Sequence, residues 1–215
     1  MSDKGAVRMP YNLDLSAITV REYKEMLKAQ NLLPGRRMLR EGIDHIFDLI
    51  EKQGIGHIAQ LRKQLSAPKR LASFAAATGI SEEYLVLLKR EMGSLEQKPV
   101  PIAGFPGMDA VVIANLKRRG ITTSKDYYEG GPVADELFCL CDLVRINGVG
   151  TAAAKAFCEA GYRSVADIAC ADAGDMLERV SKVNEEKQYY EARLGVKDMQ
   201  FCIDFAVLLM KRCDG

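Results

Sequence analysis

Residues 145–157 read RINGVGTAAAKAF, and the way they fold decides the architecture of the chain. Gly148 and Gly150 flank one apolar residue and stand directly before a run of small helix formers. A two-glycine turn bends the backbone tightly and leaves the first amides of the next helix unobstructed. The stretch therefore predicts a helix that starts near Thr151 and is entered through a glycine turn. Gly161, thirteen residues after Gly148, fits the position just past a helix end. There the backbone turns left-handed, a conformation that penalises any Cβ, and the next residue, here Tyr162, folds back as an apolar contact.

The pattern recurs. FPGMDAVVIANLKRRGITTSKDYY at 105–128 aligns with INGVGTAAAKAFCEAGYRSVADIA at 146–169. Each has a glycine turn, a helix, then Gly and an apolar residue, and Gly107 to Gly120 again spans thirteen residues. A third copy, GIDHIFDLIEKQGIGHIAQL at 42–61, spaces Gly42 and Gly54 by twelve. Such self-similarity signals one supersecondary unit used several times.

Helical spacing extends through the rest of the chain, and no segment alternates apolar and polar residues long enough for a strand. Thr19 and Glu22 form a capping box ahead of an apolar face made by Val20, Tyr23 and Leu27. Further helices are predicted at about 44–53, 58–65, 69–78 and 82–92, then at about 109–119, 124–129, 134–144, 151–160, 164–170, 173–189 and 197–212. Between the two sets lies GSLEQKPVP at 93–101, whose prolines push the residues before them out of helical geometry. The expected fold is all-α, with short helices in two lobes, 1–97 and 98–215.

Composition narrows the function. The chain is 48% hydrophobic and 27% charged with a formal net charge of +1, so it is globular and has no overall attraction to nucleic acid or anionic lipid. Lys and Arg exceed Asp and Glu by four over 1–100 and fall short by three over 101–215, too small an asymmetry to name a partner. MSDKGAVRMPYNLDL lacks the apolar core of a secretory signal, and runs such as FAVLLM are too short to span a bilayer. A cytoplasmic location without membrane association is expected. The six cysteines (139, 141, 158, 170, 202 and 213) are then reduced and read as small buried hydrophobes.

LVRINGVGTAAAKAFCEAGYRSVADIA resembles a helix-hairpin-helix unit, with its apolar-x-Gly-apolar-Gly turn, a helix carrying a Lys, then Gly, an apolar residue and a shorter helix. From about Ser16 to Leu209 the chain resembles a bacterial family built from such units, the domain-of-unknown-function 4332 family. LLPGRRMLREGIDHIF, ATGISEEYLVLLKREM, QKPVPIAGFPGMD and VSKVNEEK carry that resemblance outside the hairpins. The family resemblance implies tandem helix-hairpin-helix units rather than an activity. The broader class implies that the glycine turn holds a DNA or RNA phosphate against backbone amides without reading sequence. Carried onto this chain, the contact residues are Gly148, Val149, Gly150, Thr151 and Lys155, with Gly107 and Lys117 in the preceding copy. Free amides and the positive end of a helix dipole favour an anion there.

A packing role competes with this reading. Hairpin glycines also serve close helix approach, and the units can act as a protein-interaction scaffold. GFPGMD at 104–109 introduces Pro106 and places Asp109 where a phosphate would be repelled, and GID puts Asp44 in a similar place. The basic clusters KRRG (117–120) and GRRMLR (35–40) suit a helix end and a turn whatever the function. Of the pairs Tyr127-Tyr128 and Tyr189-Tyr190, one member each is expected in the core and one at its rim. Cys139-Leu140-Cys141 supplies only two ligands where structural zinc needs four, so no metal or cofactor is expected. Oxidation of an exposed pair is the alternative role for Cys139 and Cys141. No HExxH, P-loop or GxSxG motif is present, and no enzymatic activity is expected.

Overall fold

The computed structural model describes residues 9–30, 32, 34–133 and 135–211; the expectations for Cys213 and for helix ends at 134 and 212 lie outside these. The fold is all-α: among the described residues there are twelve α-helices and no strand. The chain divides into two compact units, one made of 14–96 with Lys211, the other of 9–13 with 97–210.

The 14–96 unit contains α1 (Val20–Ala29), α2 (Ile43–Lys52), α3 (Ile58–Gln64), α4 (Pro68–Thr78) and α5 (Glu82–Gly93). α1 starts at the capping box: the Glu22 N–H donates to Thr19 Oγ1 at 3.1 Å, and the Thr19 N–H donates to the Glu22 carboxylate at 3.0 Å. Val20, Tyr23 and Leu27 are buried, where α1 packs on α2 and α3, and Leu39, Phe47, Ile50, Leu61, Leu85 and Leu88 complete the core. Each fully buried side chain of this size stabilises by about 1.5–3 kcal/mol.

The second unit contains α6 (Ala110–Arg118), α7 (Ser124–Gly130), α8 (Glu136–Leu143), α9 (Thr151–Glu159), α10 (Val165–Ala169), α11 (Ala173–Lys187) and α12 (Val196–Met210). Two 3-10 helices, Pro34–Arg40 and Ile102–Gly104, were not expected. Their three-residue period leaves no 3.6-residue apolar stripe to read.

The three repeats share one hydrogen-bond plan. Gly54, Gly120 and Gly161 have φ of +74°, +77° and +98°. At the end of α6 the N–H groups of Gly120 and Ile121 donate to the carbonyls of Lys117 and Leu116, both at 3.0 Å. At the end of α9 those of Gly161 and Tyr162 donate to Cys158 and Phe157 at 3.1 and 3.0 Å, the paired closure of a Schellman motif. Six residues after each glycine, a polar side chain reaches back to the chain. Gln60 accepts from the Gly56 N–H at 2.8 Å, Asp126 from Thr122 at 3.0 Å and Asp167 from Arg163 at 2.8 Å.

The start of the following helix is then anchored across the unit. The Ile58 N–H donates to the Ile18 carbonyl at 2.9 Å, and the Ser124 N–H to that of Val100 at 2.8 Å. In the 146–169 copy the Val165 N–H donates instead to the carboxylate of Asp142, at 2.8 Å. Asp142 is buried, and so is its ion-pair partner Arg145. The Arg145 guanidinium also donates to the carbonyls of Tyr11 (2.9 Å) and Pro10 (3.0 Å) and to the Tyr128 hydroxyl (2.9 Å), lying 4.6 Å from the centre of that ring. Tyr11 and Ser124 join their hydroxyls at 2.7 Å. Residues 10–11 are thereby strapped to α7 and α8.

Arg145→Met is expected to lower the unfolding free energy by about 3–5 kcal/mol, because it leaves a buried carboxylate without its partner. Urea titration followed by circular dichroism measures this, and a loss below about 1 kcal/mol would contradict the assigned role. Gly120→Ala is expected to cost about 1–2 kcal/mol through its left-handed φ alone, since a Cβ there has open space. Gly161→Ala is expected to cost more in the same titration, because the Arg179 guanidinium must also move aside.

Candidate nucleic-acid interface

The 146–151 turn divides into an anchored half and an open half. Ile146 and Val149 are buried, whereas Gly148 and Gly150 are exposed. Gly148 has φ +82°, and the Val149 N–H closes the turn onto the Ile146 carbonyl at 3.1 Å. Val149 is thus a packing residue whose amide is already used. Gly150 is the N-cap of α9 and provides no side-chain hydrogen bond, so among the described residues no side chain caps the amides that open the helix at Thr151, Ala152 and Ala153.

Gly148 needs its left-handed φ, but Gly150, at φ −80° and ψ 175°, sits in extended backbone open to any residue. A Cβ at Gly150 would meet no described atom within 4 Å. Close packing inside the chain therefore does not require that glycine. Ser, Asp or Asn in its place would stabilise the helix by about a few tenths of a kcal/mol more, as ordinary N-caps do.

The preceding copy shows the closed alternative. Gly107 has φ +77° and is exposed, matching Gly148. Asp109, which aligns with Gly150, turns its carboxylate onto the N–H groups of Val111 (2.7 Å) and Val112 (3.1 Å). An anion already occupies this helix start, and it belongs to the chain itself. Lys117 is exposed near the other end of α6, about 10 Å beyond the helix start along the axis, too far to share one phosphate with Gly107. In the 42–61 copy Asp44 caps nothing and pairs with Lys28 at 2.6 Å and Lys24 at 3.3 Å.

Lys155 is not directed at the turn. Its ammonium pairs with Glu136 and, at 3.2 Å, with Glu159, one turn further towards the C-terminal end of α9. Burial works against its charge, but the two carboxylates more than offset this and hold its pKa up. The sequence-based set thus separates. Gly148, Gly150 and the backbone at Thr151 form the exposed feature; Val149 packs beneath it, and Lys155 is engaged elsewhere.

Other expectations change in the same way. Tyr127 and Tyr128 are both buried rather than split between core and rim, since Tyr127 also bonds Asp135 and Tyr128 stacks on Phe138 at 5.2 Å. Tyr189 and Tyr190 are both half-buried, and the Tyr189 hydroxyl donates to Glu159 at 2.7 Å. Cys139, Cys141, Cys158 and Cys202 are buried, and burial pushes their thiols up, that of Cys202 to about 12. Cys170 departs from the expected burial: it caps the C-terminal end of α10 and is exposed. Among the described residues no three His, Cys, Asp or Glu side chains are placed to hold a metal ion. Among them, too, no helix is long and apolar enough to cross a membrane.

Arg145, Asp142 and the Gln60, Asp126, Asp167 series were missed by sequence reasoning. The signals were present: two charges inside the apolar run LFCLCDLVRI, and a hydrogen-bonding residue six places after each helix-ending glycine.

No curated protein and no solved structure matches the chain. Residues 142–187, from Asp142 through the turn to the end of α11, match the SAM-like helix-hairpin-helix tandem family model, so this segment is similar to a tandem of that kind.

Proposed function

We propose that the chain is a non-enzymatic protein that contacts a nucleic-acid phosphate backbone through the 146–151 hairpin, without reading base sequence. The observation that carries this reading is the uncapped start of α9 beneath Gly150, where neither backbone strain nor packing calls for glycine. The matching position one repeat earlier is filled by the capping Asp109. A missing side chain there leaves room for an outside anion. The amides and helix dipole favour that anion by about 0.3–1 kcal/mol in an exposed setting. The helix-hairpin-helix match over 142–187 supports the same reading. With Lys155 paired, the contact runs through backbone amides, so affinity is modest and the salt dependence shallow.

A protein-binding scaffold is the second reading. It is favoured by α6, where Leu116 alone is buried while Val111 and Val112 are 66% and 43% exposed. An apolar helix face of this kind suits a protein surface better than a phosphate.

Gly150→Asp separates the two. The backbone at Gly150 accepts Asp, and the new carboxylate is placed to cap α9 as Asp109 caps α6. Thermal stability is expected to rise slightly, by about 0.5 kcal/mol. Anisotropy titration with single- and double-stranded oligonucleotides at low salt is expected to show binding weakened about tenfold, since the helix start is filled by a like charge. Unchanged oligonucleotide affinity in the folded variant would overturn the hairpin reading.

A further inference from the structure

The 14–96 unit has a charge asymmetry of its own. Residues 52–81 hold five Lys and Arg and no Asp or Glu. α3 ends with Arg62 and Lys63, α4 begins with Pro68, Lys69 and Arg70, and the short turn at 65–67 brings the two groups together. α5, which packs on both helices, adds Lys89. Its ammonium donates to the Ser66 carbonyl at 2.8 Å, and the Arg70 guanidinium lies 3.5 Å from the Lys63 carbonyl.

Only part of this charge has a folding reason. Arg62 is neutralised by Glu96. Lys89 and Arg70 face the carbonyl end of α3, where cations suit the dipole. Lys63 and Lys69 are exposed, and among the described residues no carboxylate pairs with Lys63, Lys69, Arg70 or Lys89. Arg70 and Lys89 are held by carbonyl oxygens, but Lys69 stands in the first turn of α4, where the helix dipole disfavours a cation, so this corner of the cluster suits an anion from outside.

The surroundings indicate which anion. An open groove of about 370 Å³ adjoins the turn and is lined by Gln53, Gln64, Lys69, Arg70, Ser73 and Phe74. Gln and Ser side chains donate well to phosphate and sugar oxygens and position a nucleic acid without reading it. A membrane-surface site would instead need exposed large apolar side chains beside the cations. Among the described residues of α3, α4 and α5, Val86 alone is an exposed large apolar side chain, too little to anchor the surface in a membrane.

We infer that the α3–α4 turn, through Lys63, Lys69, Arg70 and Lys89, is a nucleic-acid-backbone-binding surface separate from the 146–151 hairpin. It does not rest on the hairpin reading. The hairpin offers amides with Lys155 engaged, whereas the α3–α4 turn offers cations that no described carboxylate neutralises, the groups that release counterions from a polyanion.

The test is an anisotropy titration of the full chain with a labelled duplex oligonucleotide over a range of salt concentrations. Lys69→Glu with Arg70→Glu is expected to weaken binding about tenfold at low salt and to make the log affinity against log salt slope shallower by about two. Lys69→Glu alone, at an exposed side chain, should remove about one from the slope; it decides the matter if the double variant fails to fold. Arg193→Glu with Lys197→Glu, also exposed, matches the change in net charge and is expected to leave the slope unaltered. An effect of the Lys69 and Arg70 changes no larger than that of this control overturns the proposal. So does binding to phosphatidylserine vesicles, lost in the Lys69→Glu and Arg70→Glu variant, without any oligonucleotide binding. Gly150→Asp in parallel keeps the two readings apart: loss there, with binding unaltered by Lys69→Glu and Arg70→Glu, supports the hairpin and sinks this surface, and the reverse pattern does the opposite.

Discussion

Asp142 and Arg145 meet away from water, and the way their charges are satisfied ties together several separate segments of the 97–210 unit. A buried carboxylate or guanidinium loses several kcal/mol of hydration, and it is tolerated only when its hydrogen-bonding positions are filled. Arg145 fills its own with Asp142, the Tyr128 hydroxyl and the carbonyls of Pro10 and Tyr11. Asp142 uses its second oxygen on the Val165 amide. One pair thus holds the N-terminal strap, α7, the end of α8 and the start of α10. The turn at 146–150 begins at the residue after Arg145, so the pair anchors the point from which it departs.

The same constraint explains how one repeat is built in more than one way. Every copy must satisfy the amide that opens its second helix. Two copies borrow a backbone carbonyl from the segment before the repeat, Ile18 or Val100. The 146–169 copy uses the Asp142 carboxylate and must then carry the compensating Arg145. At the other helix start the copies diverge again. Asp109 seals α6, Gly42 and Asp44 leave α2 without a side-chain cap, and Gly150 leaves α9 open. A repeat can keep its fold while its helix starts differ, because the cap contributes about 1 kcal/mol and the buried apolar positions contribute several times that.

Charge is distributed in a complementary manner. The open helix start in the 97–210 unit has its nearest lysine tied to two glutamates, and the unpaired cations at the α3–α4 turn lie in a separate unit. The near-neutral total in the sequence conceals both features. A sum over the chain averages Glu136 and Glu159 against Lys155, and it averages an acid-free stretch of thirty residues against acidic helices elsewhere. Net charge is informative about solubility and long-range steering, but it does not locate a surface.

Local rules were sufficient for the helices, their glycine stops and the repeat. A left-handed C-terminal residue, a capping Thr and a 3.6-residue apolar stripe each depend on neighbours within a few positions, and Gly120, Gly161, Thr19 and Val20 all lie where those rules put them. Side-chain commitments were not legible in that way. The Lys155 pair with Glu159, four residues on, follows local helix spacing, but its pair with Glu136, nineteen residues away, does not, and Tyr127 and Tyr128 looked divided because their partners Asp135 and Phe138 sit on a different element. Arg145 meets Pro10 across one hundred and thirty-five residues. The sequence alone therefore determined which segments are helical and where they turn; only tertiary packing decided which charges remain unspent and which amides stay uncovered, because pairing depends on distances that chain separation does not encode.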